Sequence, residues 1–350
     1  MKKLKIGIIG TGNISQQHAA AYLDDERCEL YALCDIDEEI LAAKGKLYHI
    51  DRLYTDCNKM LAELPELDAV SVCTWNAAHA PCTIAALDAG KHVFCEKPMA
   101  MSTAEAEEMR AHAKKAGKLL GLGFVRRFGK DADLARALIQ EGKLGKIYYA
   151  KAAYHRRNGS PGGWFENKAR AGGGPLIDLG VHIIDLVRYI AGNPRPVSVY
   201  GATYSLLRDR EIVDLPAYLA SRPDAPVSDV EDLATAMIRF SDGMILQAET
   251  SYKLYTGDDC NRVELFGTKG GISIDPDLSL HTSAAGKLAE MSFPFPAAYG
   301  PESYAQEVKS FISAIIDGTP LRADADDGVE MMKILDAIYL SAETGHEVIL

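Results

Sequence analysis

At 350 residues the chain is long for a single hydrophobic core, and a 47% hydrophobic share is ample for two domains. A formal net charge of -11, with no lysine- or arginine-rich run, argues against a nucleic-acid partner; acidity of this size mainly confers solubility. Seven scattered cysteines, none in C-x-x-C spacing, argue against a disulfide framework or a cysteine-built zinc site and point to a reducing compartment.

The apolar run from Leu4 to Ile9 reads as a buried strand, and Gly10-Thr11-Gly12-Asn13-Ile14-Ser15 follows at once. A helix-like stretch from Gln16 to Leu23 comes next, then a second strand from Cys28 to Cys34 that ends at Asp35. Strand, G-x-G turn, helix, strand, acid is the order of a dinucleotide-binding βαβ unit. Gly10 permits the tight turn, and Gly12 lets backbone approach a pyrophosphate. Exposed N–H groups at the helix start favour the anion, so Gly10, Thr11, Gly12, Asn13 and Ile14 form the expected cofactor turn. Asp35 stands where a carboxylate accepts from the adenosine ribose, about 20 residues on. The motif departs from G-x-G-x-x-G at Ser15, whose side chain is still small enough for helix–strand packing. An acid at Asp35, with Asp37 close behind and no arginine, repels a 2′-phosphate and favours NAD over NADP. The opening Met1–Gly10 is interrupted by Lys5 and runs straight into glycines, unlike a signal peptide, and no later stretch is apolar enough to cross a membrane; the expected location is the cytoplasm.

Alternation continues with helices at 37–48 and 57–64, a strand at 69–74, a helix at 81–89 and a strand at 92–95. Ser102 to Gly117 is a helix with a capping-box start and a glycine stop, and 119–124 is a further strand. Thr74, Asn76 and His79, with Trp75, fall just past a strand end on the expected cofactor side, although packing or helix capping is the ordinary role of such a histidine. The run Val93-Phe94-Cys95-Glu96-Lys97-Pro98 places an acid and a base at the carboxyl end of a strand, the edge where open α/β sheets bind ligands. The ordinary alternative is a salt-bridged strand end.

After Phe124 the period changes. A helix at 131–141 and a strand at 146–154 lead to a glycine- and arginine-rich stretch, and beyond it strands follow one another at 197–207, 233–240, 244–252, 263–267, 271–274 and 278–282. The segment 208–231 reads as a loop excursion, and helices at 303–317 and 325–344 close the chain. The fold class is therefore α/β: an N-terminal doubly wound parallel sheet of Rossmann type (1–124), then a C-terminal α/β domain (125–350) with a large open, mostly antiparallel sheet. The closing helices and final strand are expected to pack back on the N-terminal domain.

Residues 175–191 form an apolar helix preceded by three glycines, with Asp178, His182 and Asp185 at i, i+4 and i+7 on one face. A histidine there can take the proton of an alcohol as hydride leaves its carbon, and a neighbouring acid can hold the hydroxyl or orient the imidazole. An internally satisfied Asp–His pair is the ordinary alternative, Asp185 reads as structural, and no metal is expected. Arg156 and Arg157 could recognise an anionic substituent; paired arginines usually serve as surface salt-bridge partners.

Gly10-Thr11-Gly12, Glu96-Lys97-Pro98 and Gly172-Gly173-Gly174-Pro175-Leu176-Ile177-Asp178-Leu179-Gly180-Val181-His182, in order, resemble the glucose–fructose oxidoreductase / inositol dehydrogenase / MocA (Gfo/Idh/MocA) family. Arg126-Arg127-Phe128, Val230-Glu231-Asp232 and Ile338–Gly345 extend the likeness along the chain. The resemblance implies an NAD-dependent dehydrogenase acting on a secondary alcohol of a sugar, inositol or related polyol, working as a homodimer or homotetramer through the open sheet. It implies that Lys97 polarises the reacting hydroxyl and bonds the nicotinamide ribose, that His182 is the acid/base and that Asp178 positions substrate. Glu96, Arg127 and Trp164 join the cofactor set by the same likeness, and Tyr304 the substrate set with Arg156. Trp75 stands where many members have proline. Two other readings share the fold: a cofactor-binding regulator without turnover, and glycoside cleavage through transient oxidation.

Overall fold

The computed structural model describes residues 3–210, 228–274, 277–294 and 300–350. They group into two compact units: Met1–Phe124 with Gly300–Met332, and Val125–Tyr299 with Lys333–Leu350.

In the first unit, strands β1 (Leu4–Ile9), β2 (Cys28–Cys34), β3 (Leu53–Tyr54), β4 (Ala69–Val72), β5 (His92–Glu96) and β6 (Leu120–Gly123) line up in the order β3-β2-β1-β4-β5-β6. Every pair is parallel. Helices α1 (Ser15–Asp24), α2 (Glu38–Tyr48), α3 (Cys57–Glu63), α4 (His79–Asp88) and α5 (Thr103–Ala116) make the connections. Strand order reverses between β1 and β4, so the ligand crevice of this sheet type opens where those two strands end. Local chemistry sets the boundaries. Asp37 caps α2 by accepting from Glu39 and Ile40 N–H, and Gly117 ends α5 in the left-handed region at φ 62°. The expected capping box is offset: Ser102 accepts from Glu105 N–H, but the Glu105 carboxylate takes the N–H of Met101. The core joins Ile6, Ile8, Leu30, Leu33 and Phe94 to Val308, Phe311 and Ile312 of the Pro301–Asp317 helix.

In the second unit, strands β7 (Ile147–His155), β8 (Pro196–Tyr204), β9 (Leu233–Phe240), β10 (Ile245–Ser251), β11 (Cys260–Gly267), β12 (Gly271–Ile274), β13 (Leu278–Ala284), β14 (Lys287–Phe293) and β15 (Val348–Ile349) form a 9-stranded sheet. Its order is β14-β13-β12-β11-β7-β10-β9-β8-β15, with β7 and β10 parallel and the other pairs antiparallel. Ala150, Ala152, Ala236, Ile238, Leu246, Ala248, Val263 and Leu265 are buried, while alternate residues such as Lys151, Met237, Gln247 and Tyr200 point the other way. β15, expected against the N-terminal domain, pairs with β8 in this sheet.

Three departures from the sequence reading have physical causes. The stretch 175–191 is not one α-helix: Leu176–Gly180 makes a π-turn, and α-helix begins at Val181 and runs to Ile190. The i, i+4, i+7 spacing of one α-helical face therefore applies only from Val181 onward. β14 lacks the alternation that marks a strand because five of its seven residues are exposed and none is buried. β8 stops at Tyr204, three positions short of its expected end, where Asp232 takes over: its N–H bonds Tyr204 O and its carboxylate accepts from Leu207 N–H. Of the expected 208–231 excursion, residues 211–227 lie outside the described residues.

Candidate active site

The glycine turn is fixed from two sides. Gly10 sits at φ 89°, and a Cβ there would come within 2.6 Å of the Cys73 carbonyl carbon, so only glycine lets the end of β1 lie this close to the end of β4. Asp35 accepts from the backbone N–H of Thr11 at 2.6 Å and from its hydroxyl at 2.9 Å through one oxygen, and from Asp37 N–H at 2.9 Å through the other. A carboxylate has about four lone-pair sites, so the half-buried Asp35 retains acceptor capacity for a ribose diol. Ser15, the departure from the glycine pattern, donates its hydroxyl to Gly12 O at 2.7 Å and ties the turn to the start of α1. This closely approached turn, leading into α1 and backed by a carboxylate, fits a dinucleotide.

Glu96 ends β5 buried, and the half-buried Lys97 follows it through a cis peptide to Pro98. Glu96 accepts from His18 Nε2 at 2.8 Å and, through its other oxygen, from Lys97 N–H at 3.2 Å. Behind it runs an ordered chain: Tyr22 hydroxyl to Ser71 hydroxyl at 2.8 Å, and Ser71 hydroxyl to His18 Nδ1 at 3.2 Å. Burial pushes the Tyr22 pKa up, so its hydroxyl stays protonated within this chain. Gly123 on β6 leaves the space: a Cβ there would lie 3.0 Å from the Glu96 carboxyl carbon.

His79 sits fully buried at the start of α4, its Nδ1 2.7 Å from Pro98 O and its Nε2 3.1 Å from Thr74 O. It therefore links the loop after β4 to the turn after β5. Burial pulls its pKa below the ordinary value, against the pull of the two carbonyls. Asn76 is buried in the short 3-10 turn Asn76–Ala78, with Trp75 as the extended residue before it.

In the second unit, Asp178 lies in the π-turn and His182 on the α-helix beyond it, both buried. Asp178 accepts from the Tyr252 hydroxyl at 2.9 Å. Burial, then the charge of Asp178, pushes the Tyr252 pKa well up, so it remains a donor. Arg156 is not a surface partner. Its guanidinium stacks within 5.6 Å of the Tyr154 ring and 5.9 Å of the Tyr252 ring, and its Nη1 is buried without a hydrogen-bond acceptor among the described residues. Burial acts to lower its pKa, but Asp178, Tyr154 and Tyr252 outweigh burial and hold it charged. Arg157 lies apart from this cluster and donates its backbone N–H to Asp259.

Glu231 holds the whole stretch in place. It accepts from Gly174 N–H at 2.8 Å, Leu176 N–H at 3.1 Å and the Tyr339 hydroxyl at 2.9 Å, satisfying donors at the start of the helix. Gly174 packs so closely on the Glu231 carbonyl that a Cβ would overlap it. Asp185 engages Arg127 through two oxygens at 2.6 and 2.8 Å, both groups wholly buried, which accords with a structural Asp185. Trp164 stacks on Phe165 at 3.9 Å in the 3-10 turn Gly163–Glu166. Tyr304 is half-buried in the first turn of the Pro301–Asp317 helix, in the first unit.

Sequence reasoning missed His18, Ser71, Tyr22 and Tyr252. The available signals were a histidine and a tyrosine on the buried side of the helix after the glycine turn, and a serine inside the apolar run Ala69–Val72. Among the described residues no cluster of three His, Cys, Asp or Glu could hold a metal, and no helix is long and apolar enough to cross a membrane.

Residues 4–124 match an oxidoreductase family described as having an NAD-binding Rossmann fold, and residues 133–273 match the GFO/IDH/MocA C-terminal domain. The chain is 34% identical over 348 residues to D-glucoside 3-dehydrogenase of Escherichia coli, covering 99% of this chain and 97% of that protein. It is 30% identical over 328 residues to myo-inositol 2-dehydrogenase of Thermotoga maritima, covering 93% and 92%. Among solved structures, levoglucosan dehydrogenase in complex with NADH superposes with a TM-score of 0.86 at 26% identity, over 99% of each chain.

Proposed function

The chain belongs to the GFO/IDH/MocA family of NAD-binding oxidoreductases, and on that premise we propose that it oxidises a secondary ring alcohol of a sugar, inositol or glycoside. NAD, when bound, supplies the hydride acceptor. The chain's own residues must then hold the alcohol, remove its proton and keep the carbon facing the acceptor. Lys97 is assigned to the reacting hydroxyl and the nicotinamide ribose, where an ammonium lowers the cost of alkoxide character in the transition state. His182 takes the hydroxyl proton, Asp178 positions a substrate hydroxyl with its orientation set by Tyr252, and Tyr304 and Trp164 line substrate and cofactor respectively. The half-buried Arg156 contributes a positive charge beside Asp178 that suits an electron-rich substrate oxygen. On the cofactor side, Gly10, Thr11, Gly12, Asn13 and Ile14 cradle the pyrophosphate and Asp35 accepts from the adenosine ribose. Thr74, Asn76, His79 and Glu96 shape the nicotinamide side with Lys97, and Arg127 serves this set through the helix it anchors. The protein is proposed to work in the cytoplasm as a homodimer or homotetramer.

The observation that carries this reading is the Asp178–Tyr252 bond in the π-turn just before the helix that bears the buried His182. The test is Lys97→Ala assayed for NADH formation on a panel of glucosides, aldoses and inositols, with NADH binding followed by fluorescence. Turnover should fall about a hundred-fold or more while NADH binding persists. Undiminished turnover would remove Lys97 from the chemistry.

A further inference from the structure

Two thiols in the first unit face one another. Cys57 opens α3 and Cys82 lies in α4, and their sulfurs stand 4.0 Å apart, close enough for one to donate to the other. Both are partly exposed. Neither belongs to the glycine turn, the Lys97 strand end or the Asp178 cluster. We propose that Cys57 and Cys82 form a dithiol site that a hydroperoxide converts to a disulfide.

The geometry selects this pair from the other cysteines. Cys28, Cys34, Cys73 and Cys95 are buried, where a peroxide has no ready access, and Cys260, half-buried at the start of β11, belongs to the second unit rather than to this pair. The hydrogen bond between the two thiols, set against burial, brings the Cys57 thiol down to about 7 and pushes Cys82 up. Cys57 is also the first residue of α3, where the N–H groups of a helix start favour a thiolate, so we take Cys57 as the nucleophile and Cys82 as the resolving thiol. Burial raises Cys28, Cys34 and Cys95 to about 12, and raises Cys73 as well. In the first step the Cys57 thiolate attacks the peroxide oxygen. The O–O bond breaks, the alcohol or water leaves with the thiol proton, and Cys57 becomes a sulfenic acid. In the second step the Cys82 sulfur attacks the Cys57 sulfur, the S–O bond breaks, and hydroxide leaves with the Cys82 proton as water. Two thiols lose two electrons and one peroxide gains them. The bond ties the start of the helix after β3 to the helix after β4.

The test uses the full, reduced chain exposed to hydrogen peroxide and then unfolded in the presence of a thiol reagent. The titratable thiols should drop from seven to five, with the peptide of Cys57 joined to that of Cys82 and the bridge placed by fragmentation. Cys82→Ser should leave Cys57 labelled by a sulfenic-acid reagent, and Cys57→Ser should retain all its thiols under the same dose. Melting curves of both variants establish that they fold. Seven surviving thiols in the parent, a bridge between other cysteines, or thiol loss in Cys57→Ser at the parent rate would overturn the proposal.

Discussion

His79 shows how one buried side chain writes a pH dependence into the molecule. Its two nitrogens face two carbonyls, yet burial keeps its pKa below the ordinary value of about 6.5. The folded protein therefore holds His79 neutral, while the unfolded chain takes up a proton as pH falls. The associated stability is complete above about pH 6.5 and is lost as pH falls toward the depressed value. In His79→Gln, urea midpoints compared at neutral and mildly acidic pH should show a shallower acid loss than the parent; identical slopes would remove His79 from the account. Some slope will persist, because burial also depresses His92. Gly123→Ala tests a second residue-scale feature. The new Cβ would press on the Glu96 carboxylate and disturb its bond to His18, at a cost of about 1–3 kcal/mol in denaturant unfolding. At this scale the sequence revealed groups with local partners, such as the Ser102 cap, and groups marked by a motif, such as the Asp35 that follows β2. It concealed His18, because its partners Ser71 and Glu96 lie 53 and 78 positions away.

At the scale of elements, the π-turn at Leu176–Gly180 is the main correction. Apolar spacing over one turn does not distinguish an α-turn from a slightly wider one, so the periodicity of 175–191 gave the helix but not its opening geometry. The start of this stretch is also held from elsewhere in the chain, by the Glu231 carboxylate that receives Gly174 and Leu176 N–H. Glu231→Ala would leave those donors buried, and unfolding free energy should fall by about 1–3 kcal/mol for each donor left unpaired. Tyr339→Phe, which removes a single donor to the same carboxylate, should cost clearly less in the same denaturant titration. Equal losses would mean that the helix start does not depend on Glu231. Most parallel strands of the first unit were legible as short apolar runs, and β1, β2 and β5 are closed by glycine, acid or an acid followed by Lys-Pro. β3, at Leu53–Tyr54, was too short to carry a pattern, and β14 had no buried face to create one.

For the whole molecule, we propose the outward face of the second sheet as the surface through which the proposed oligomer assembles. Tyr200 and Met237 are cross-strand partners and are 53% and 52% exposed, an apolar pairing that a solvated sheet face does not require. Replacing both with aspartate should lower the mass measured by light scattering while leaving the melting of the units intact. An unchanged assembly would place the interface elsewhere. The two fold types were legible because βα alternation gives way to successive strands near residue 124. The closing helices and final strand were expected to return to the N-terminal domain; Gly300–Met332 group with the first unit and Lys333–Leu350 with the second, since an amphipathic helix carries no label for the surface it covers.

That return has a consequence for biosynthesis. Phe311 stacks on Phe94 with ring centroids 5.3 Å apart, and Phe94 in turn lies against His18. During translation, the nucleotide-binding half emerges first but lacks this helix until most of the polypeptide has been made. The nascent half must wait with an apolar flank open, the kind of exposed surface that recruits chaperones and slows folding through distant closure. A fragment ending at residue 124 should therefore be aggregation-prone, and supplying the 300–332 segment in trans should rescue its solubility.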